Sequence, residues 1–369
     1  MQALIENIKN SGFTLEMIEK KTGIRQERLN SIISGLVEPD MGEVRKISKL
    51  LKVSTDFLVS NDKYQEINVL FRQAISNERQ KQKADIISYM VGNAFTLIGN
   101  NPAHNNFFQN FPVLENSFKN ARFLAGVFRK SYYKGDFLNP ILDLPRLVTE
   151  ELDCILFVTD LGNDTDGASA IINGVPFIFI SPRFEPRMLF TLAHELAHII
   201  SHHGSGNFAK IDQHISELGR NKFKDEAFAN AFASELLMPE EAVGSALQSL
   251  RRRFQNTGPI GDIEIIYLSR FYGVSFEVAA KRCEDVNLLP YGGAFSLSEQ
   301  IKNDYGSAEK RADELGVPER PKIVFPKVSA SLIQSAIDKI ESGEISIGKA
   351  SEILSIPIAD LLKKNVSNK

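Results

Sequence analysis

From Ala3 to Val59 the apolar residues recur at helical spacing in short segments. Breaks at Gly12, Gly23, Gly35, Pro39 and the Val53-Ser54 step divide them into five expected short helices. Residues 61 to about 150 keep the helical period, with Leu70, Ala74, Ile86, Ile87, Met90 and Val91 as apolar positions and a loop at Gly99-Asn100-Asn101-Pro102. After Cys154 the pattern changes. Ile155 to Thr159 and Val175 to Ile180 are β-branched and aromatic runs, separated by the turn-rich Gly162-Asn163-Asp164-Thr165-Asp166-Gly167, and predict a small antiparallel sheet. Pro186 suits the first turn of a helix running through Phe190 and His198 to about His202, where Gly204 and Gly206 end it. A helix from about Asp225 to Leu237 is stopped by Pro239, and Ile263 to Glu284 reads as helix broken at Gly273. A Pro-rich connector from Pro318 to Pro326 leads to a short helical tail. The expected fold is mainly α with a small antiparallel sheet.

Composition narrows the class. A chain of 369 residues, 43% hydrophobic, can bury more than one core, so several domains are expected. No run approaches the roughly 18 uninterrupted apolar residues of a membrane helix, and the first twenty residues carry acids without a signal-type apolar stretch. A cytoplasmic protein without a membrane partner is expected. Cys154 and Cys283 stand far apart without metal-ligand spacing and read as buried apolar fillers. A net charge of -3 excludes a protein that coats nucleic acid along its length, so any DNA contact must be local.

His194-Glu195-Leu196-Ala197-His198 sets two imidazoles four residues apart, one helical turn, which is the spacing for two ligands of one zinc ion. Glu195 then lies beside the metal as the candidate catalytic base. Zinc needs a third protein ligand, and Glu226 on the second helix is the candidate. Asn230, four residues on, faces the same way and can hydrogen-bond a ligating imidazole. A third histidine of the extended metzincin type is missing, because Gly204 occupies its position. Manganese is the alternative ion.

Phe190-Thr191-Leu192-Ala193 leading into the pentad, with Ala229-Asn230-Ala231-Phe232-Ala233-Ser234-Glu235-Leu236-Leu237-Met238-Pro239, resembles the two signature blocks of the ImmA/IrrE metallopeptidase family. The resemblance covers about residues 140 to 290 and implies an α+β, zincin-like core with a glutamate third ligand. Members typically carry a glutamate directly before the Ala-Asn pair, where Phe228 stands, and often Gly in place of Ala197. Glu226 matches the ligand position best, with Asp225 and Glu217 behind it. Water activation on zinc would leave Glu195 to move the proton. The sequence does not name the donor to the oxyanion; His202, His203, His214, Arg187 and several tyrosines are candidates.

Near the N-terminus, Thr14 to Thr22, Gly23 and Arg25 to Ser34 form a helix, tight turn and second helix, packed by Val44 to Leu51 and Asp56-Phe57-Leu58. The pattern resembles the Cro/repressor-type helix-turn-helix, within a five-helix bundle. Arg25, Gln26, Arg28, Asn30 and Ser31 on the second helix could then reach base edges or phosphates. Residues 1 to 60 hold nine Lys/Arg against eight Asp/Glu, so one copy would attract phosphates weakly and a homodimer could compensate. Use of the bundle for protein contact is the other reading. Ile345 to Leu354, followed by Ile358 and Leu361, looks like another small helix-turn-helix scaffold, read as packing or partner docking.

The expected organisation is a helix-turn-helix over 1–60, a helical linker or interaction region over 61–139, a zinc metallopeptidase over 140–290 and a helical, partner-docking region over 291–369. The leading function is a regulatory zinc metallopeptidase that cuts a specific repressor-like protein and is coupled to transcription through DNA binding; the family resemblance, not spacing, suggests that circuit. The alternative is a non-cleaving DNA-binding regulator, or an antitoxin-like partner of a toxin, whose zinc fold is a binding scaffold. A zinc enzyme acting on a non-peptide substrate comes third.

Overall fold

The computed structural model of the chain describes residues 4, 5, 8, 9, 13–51, 55, 67, 70, 71, 78–99, 107–211, 220–255 and 257–367. They divide into two compact units, residues 1–100 with 346–355, and residues 101–345 with 356–369.

In the first unit, α1 (Leu15–Thr22) starts at Thr14, whose hydroxyl accepts the Met17 N–H at 3.3 Å. It ends at Gly23, whose φ of +71° is left-handed and favours a residue without a Cβ. The tight turn leads to α2 (Gln26–Ile33) and then α3 (Met41–Leu51). Leu4, Ile8, Ile18, Ile24, Leu29, Ile32, Val44 and Ile47 form the core of this bundle. Three of the five expected helices are therefore seen in full, and the segment expected to form the fifth lies largely outside the described residues. A longer helix, α4 (Glu78–Ile98), belongs to the same unit.

The second unit opens with a 3-10 turn over 107–110, α5 (Phe118–Tyr132) and α6 (Leu144–Glu150). Four strands follow, β1 (Ile155–Val158), β2 (Gly167–Ile172), β3 (Val175–Ile180) and β4 (Phe208–Ile211), in the order β1-β3-β2-β4. The sheet is mixed, which corrects the antiparallel expectation. β2 pairs antiparallel with β3 and β4, but β1 pairs parallel with β3. The reason is the connection: β1 runs through a loop into the β2–β3 hairpin, and β3 returns beside β1 in the same direction. Asn173 and Gly174, both at positive φ, turn that hairpin in two residues. Residues 327–329 cover the outer edge of β1, with Val158 N–H donating to Lys327 O and Ser329 N–H to Leu156 O. β4 is the opposite edge. The rings of Phe157, Phe177 and Phe179 stack along one sheet face.

Helix α7 (Glu185–His202) lies against β2 and β3, with Pro186 in its first turn as expected. Thirteen of its 18 residues are buried, so it is a central helix wrapped nearly all round. α8 (Arg220–Leu237) packs on α7 and on α5. Buried guanidiniums receive the carbonyls at the end of α8: Arg129 donates to Leu236 O at 2.8 Å and Arg282 to Met238 O at 2.7 Å. These charge-assisted bonds fix where α8 stops and so how its other residues face α7. α9 (Glu240–Phe254), α10 (Asp262–Tyr272), α11 (Phe276–Asp285), α12 (Gly293–Tyr305), α13 (Ala308–Glu314) and α14 (Ala330–Glu341) complete this unit's succession before the chain enters α15 (Ile347–Leu354). α15 belongs to the first unit and packs on α4; the last helix is α16 (Ile358–Ser367). Among the described residues no helix is long and apolar enough to cross a membrane.

Candidate metal centre

One turn of α7 separates His194 from His198, so both imidazoles leave the same side of the helix. Their Nε2 atoms lie 3.1 Å apart. Neighbouring α8 brings Glu226, with Oε2 3.1 Å from His194 Nε2 and Oε1 3.7 Å from His198 Nε2. One ligand atom from each of the three residues lies within 4.8 Å of the other two, and all three residues are buried. Two nitrogens about 2.0–2.1 Å from one tetrahedral zinc ion would stand about 3.3 Å apart, close to the spacing seen.

The chemistry of the side chains suits a cation. Asn230 Oδ1 lies 2.9 Å from His194 Nδ1; with that oxygen accepting, the Nδ1 proton is held by Asn230 and Nε2 is the ring atom directed at the triad. Burial pushes the His198 pKa well below its ordinary value, and the charges of Lys210, His194 and His202 add to that, so His198 is neutral with a lone pair to give. Burial pushes Glu226 up, but the His194 hydrogen bond and the charges of His194 and Lys210 outweigh it and hold the carboxyl low, at about 2. Two imidazole nitrogens and a carboxylate, converging and buried, form a donor set of the kind a divalent cation takes.

Glu195 is fully buried and faces β2. A Cβ at Gly167 would lie 2.5 Å from Glu195 Oε1, so the strand backbone approaches the acid as closely as a glycine allows. The start of β2 is held by ion pairs from Arg183 and Arg187 to Asp166, and the Ser181 N–H donates to Asp166 O. Sequence reasoning marked Gly167 only as the end of a turn.

The other candidates fall elsewhere. Asp225 turns aside from the triad, accepting Asn116 Nδ2 at 2.6 Å and standing 3.7 Å from His202 Nε2. Phe228, at the position where a glutamate was expected by resemblance, is buried in the core. Glu217 and His214 lie outside the described residues. His203 Nδ1 meets Ile200 O at 2.7 Å. Lys210 of β4, which sequence reasoning missed, places Nζ 2.9 Å from Glu226 Oε1 and 3.6 Å from Asp225 Oδ2. No local pattern announces it, because a four-residue edge strand has too little length to show its period.

On α2, Arg25, Gln26 and Asn30 are exposed. Gln26 Nε2 donates to Glu19 Oε2 across the helix pair, and Ser31 donates its hydroxyl to Glu27 O. Arg28 is turned toward α3: its fork donates to both Glu43 oxygens at 2.9 Å and to Glu38 O at 3.0 Å, tying α2 to α3.

Residues 149–284 match the peptidase family model described as an IrrE N-terminal-like domain, and residues 4–58 match a helix-turn-helix family model. A comparison with curated proteins finds no match. The two matched segments hold, respectively, the buried triad and the α1–α2 helix pair.

Proposed function

We propose, from a chain that carries an IrrE N-terminal-like peptidase domain behind a helix-turn-helix domain, that the protein is a regulatory zinc metallopeptidase. It hydrolyses a peptide bond in one specific repressor-like protein and is coupled to transcription through DNA held by the N-terminal module. The observation that carries this reading is the buried convergence of His194, His198 and Glu226 beside Glu195, within the matched peptidase segment.

In this reading His194, His198 and Glu226 hold zinc, and Asn230 fixes the tautomer and orientation of His194 through its 2.9 Å contact. The ion supplies Lewis acidity toward a water molecule and a peptide carbonyl. Glu195 takes the proton of the attacking water and later delivers it to the leaving amine nitrogen. Its buried position next to the Gly167 backbone keeps bulk water from competing for that proton. On the DNA side, Arg25, Gln26 and Asn30 form the exposed face of α2 for groove contact, with Ser31 beside them.

The test combines metal analysis with cleavage. Purified protein should hold about one zinc per chain, less in Glu226→Ala. Incubation with repressor-type proteins encoded beside its gene should produce one defined cut by mass spectrometry. Glu195→Gln should keep the zinc and lose the cut. Metal without any cut would favour the scaffold or antitoxin-like reading, and no metal at all would end the metallopeptidase one.

A further inference from the structure

Hydrolysis of an amide builds negative charge on the carbonyl oxygen, and a donor aimed at that charge contributes as much as any other single group. Of the donors expected for this task, His203 and Arg187 are engaged elsewhere, and His214 lies outside the described residues. His203 meets a backbone carbonyl, and Arg187 lies on Asp166 with Nη2 at 2.5 Å and Nε at 2.8 Å. His202 stands over Asp225, and its pKa is lowered by burial, against the pull of that carboxylate. Lys210 is different. It springs from edge strand β4, opposite Ser169 of β2, and its side chain is 14% exposed. Its Nζ touches the same carboxylate that closes the triad. An ammonium has three donor protons; Nζ is ion-paired with Glu226 Oε1 at 2.9 Å and with Asp225 Oδ2 at 3.6 Å, but makes no hydrogen bond of good geometry to either. Donor protons are left over within the small volume beside the three ligands, on a strand held by its pairing with β2.

We propose that Lys210 is a catalytic residue that donates a hydrogen bond to the substrate carbonyl oxygen as it becomes an oxyanion. The inference rests on the metallopeptidase reading. As water attacks, a C–O bond forms, the water proton passes to Glu195, and the carbonyl π pair moves onto the oxygen that faces Lys210. Collapse returns that pair to C=O, the C–N bond breaks, and the proton on Glu195 passes to the amine nitrogen. Lys210 keeps its own protons throughout, so the step balances with water as the other reactant.

Holding Glu226 in place is the competing role, and it predicts different measurements. Zinc affinity by chelator competition, binding of inorganic phosphate to the zinc-loaded protein by calorimetry, and turnover of the cleaved partner are compared for wild type, Lys210→Met and Lys210→Arg. Phosphate serves as a tetrahedral oxyanion that needs no peptidase activity. We expect Lys210→Met to bind zinc no more weakly than wild type, to lose at least about tenfold in phosphate affinity, and to lose about 10²–10³-fold in turnover. Lys210→Arg should recover part of both losses. Zinc affinity falling in parallel with turnover would make Lys210 a support for Glu226 and overturn the proposal. Phosphate binding absent from the wild type, or unchanged in Lys210→Met, would overturn it too. If no partner is cut, the peptidase reading fails on that result, while the zinc and phosphate titrations still decide the place of Lys210. Should Lys210→Met fold poorly by thermal melting, Lys210→Gln takes its place in all three measurements.

Discussion

A methyl group added at Gly167 would meet Glu195 Oε1 at 2.5 Å, Thr191 Cγ2 at 2.7 Å and Glu195 Cγ at 3.0 Å. The carboxylate end could swing, but the β-branched Thr191 on buried α7 has little freedom to follow. Gly167→Ala should therefore displace Glu195 while leaving the metal ligands, which leave α7 and α8 on another side, where they are. Misplacing a reacting group by about 1 Å can cost roughly a hundredfold. The expected result is a loss of that order in partner cleavage with zinc content unchanged, and full turnover in the variant would show that Glu195 does not need the gap. At this scale the sequence was informative where chemistry follows helical period. His194 and His198, and separately Glu226 and Asn230, are each one turn apart, so their convergence needs only that two helices face each other. Gly167 and Lys210 could not be found this way. Their part comes from strands meeting the helix across the core, which no local spacing encodes.

Helix α2 separates two jobs that the sequence had merged. Five residues were candidates for DNA, but the guanidinium of Arg28 is spent on Glu43 and on the Glu38 carbonyl, so its first role is to brace α2 against α3. The Arg28 hydrogen bond holds the Glu43 carboxyl below its ordinary value of 4.5. A carboxyl with a lowered folded-state pKa stabilises fully above its unfolded value and loses that contribution as the pH falls through the lowered one. Arg28→Met should accordingly lower the melting temperature at neutral pH, and the gap from wild type should shrink as the pH is taken below 4.5. Asn30→Ala should leave the melt alone, and both Asn30→Ala and Gln26→Ala should weaken operator binding by fluorescence anisotropy. An Arg28→Met protein that melts like wild type yet loses its operator would return Arg28 to the reading face. The strands carry a parallel lesson. Ile155 to Thr159 and Val175 to Ile180 declared themselves by composition, whereas β2 is Gly-Ala-Ser-Ala-Ile-Ile and reads weakly as a strand. Its signal was the Asn173-Gly174 pair, whose positive φ angles make the two-residue hairpin. Once β2 is restored between β3 and β4, the parallel pairing of β1 with β3 follows from the order of the chain.

At the scale of the molecule, the first unit is not a stretch of chain but a stretch with a late addition. Residues 346–355 join residues 1–100, and α15 packs on α4, with Tyr89 donating its hydroxyl to Glu352 Oε1 at 3.3 Å. The helix is legible from the Ser346 cap and the Ala350, Ile353 and Leu354 stripe, but its partner is not, because the stripe only says that some apolar surface must receive it. Leu354 is fully buried and Ile353 nearly so. Truncating a core leucine to alanine costs about 2–5 kcal/mol through lost transfer energy and the cavity left behind. If α15 completes the first unit, Leu354→Ala should loosen α4 some 260 residues earlier in the chain, roughly the separation of the Tyr89–Glu352 bond. Hydrogen exchange by mass spectrometry should then show faster exchange across Glu78–Ile98 as well as across Ile347–Leu354, with zinc content unaltered. Faster exchange confined to the C-terminal helices would mean that α15 leans on α4 without stabilising it. Exchange spreading to both segments would make the C-terminus part of the folded unit that contains the helix-turn-helix, and any cut or partner that withdraws α15 would act on that unit directly.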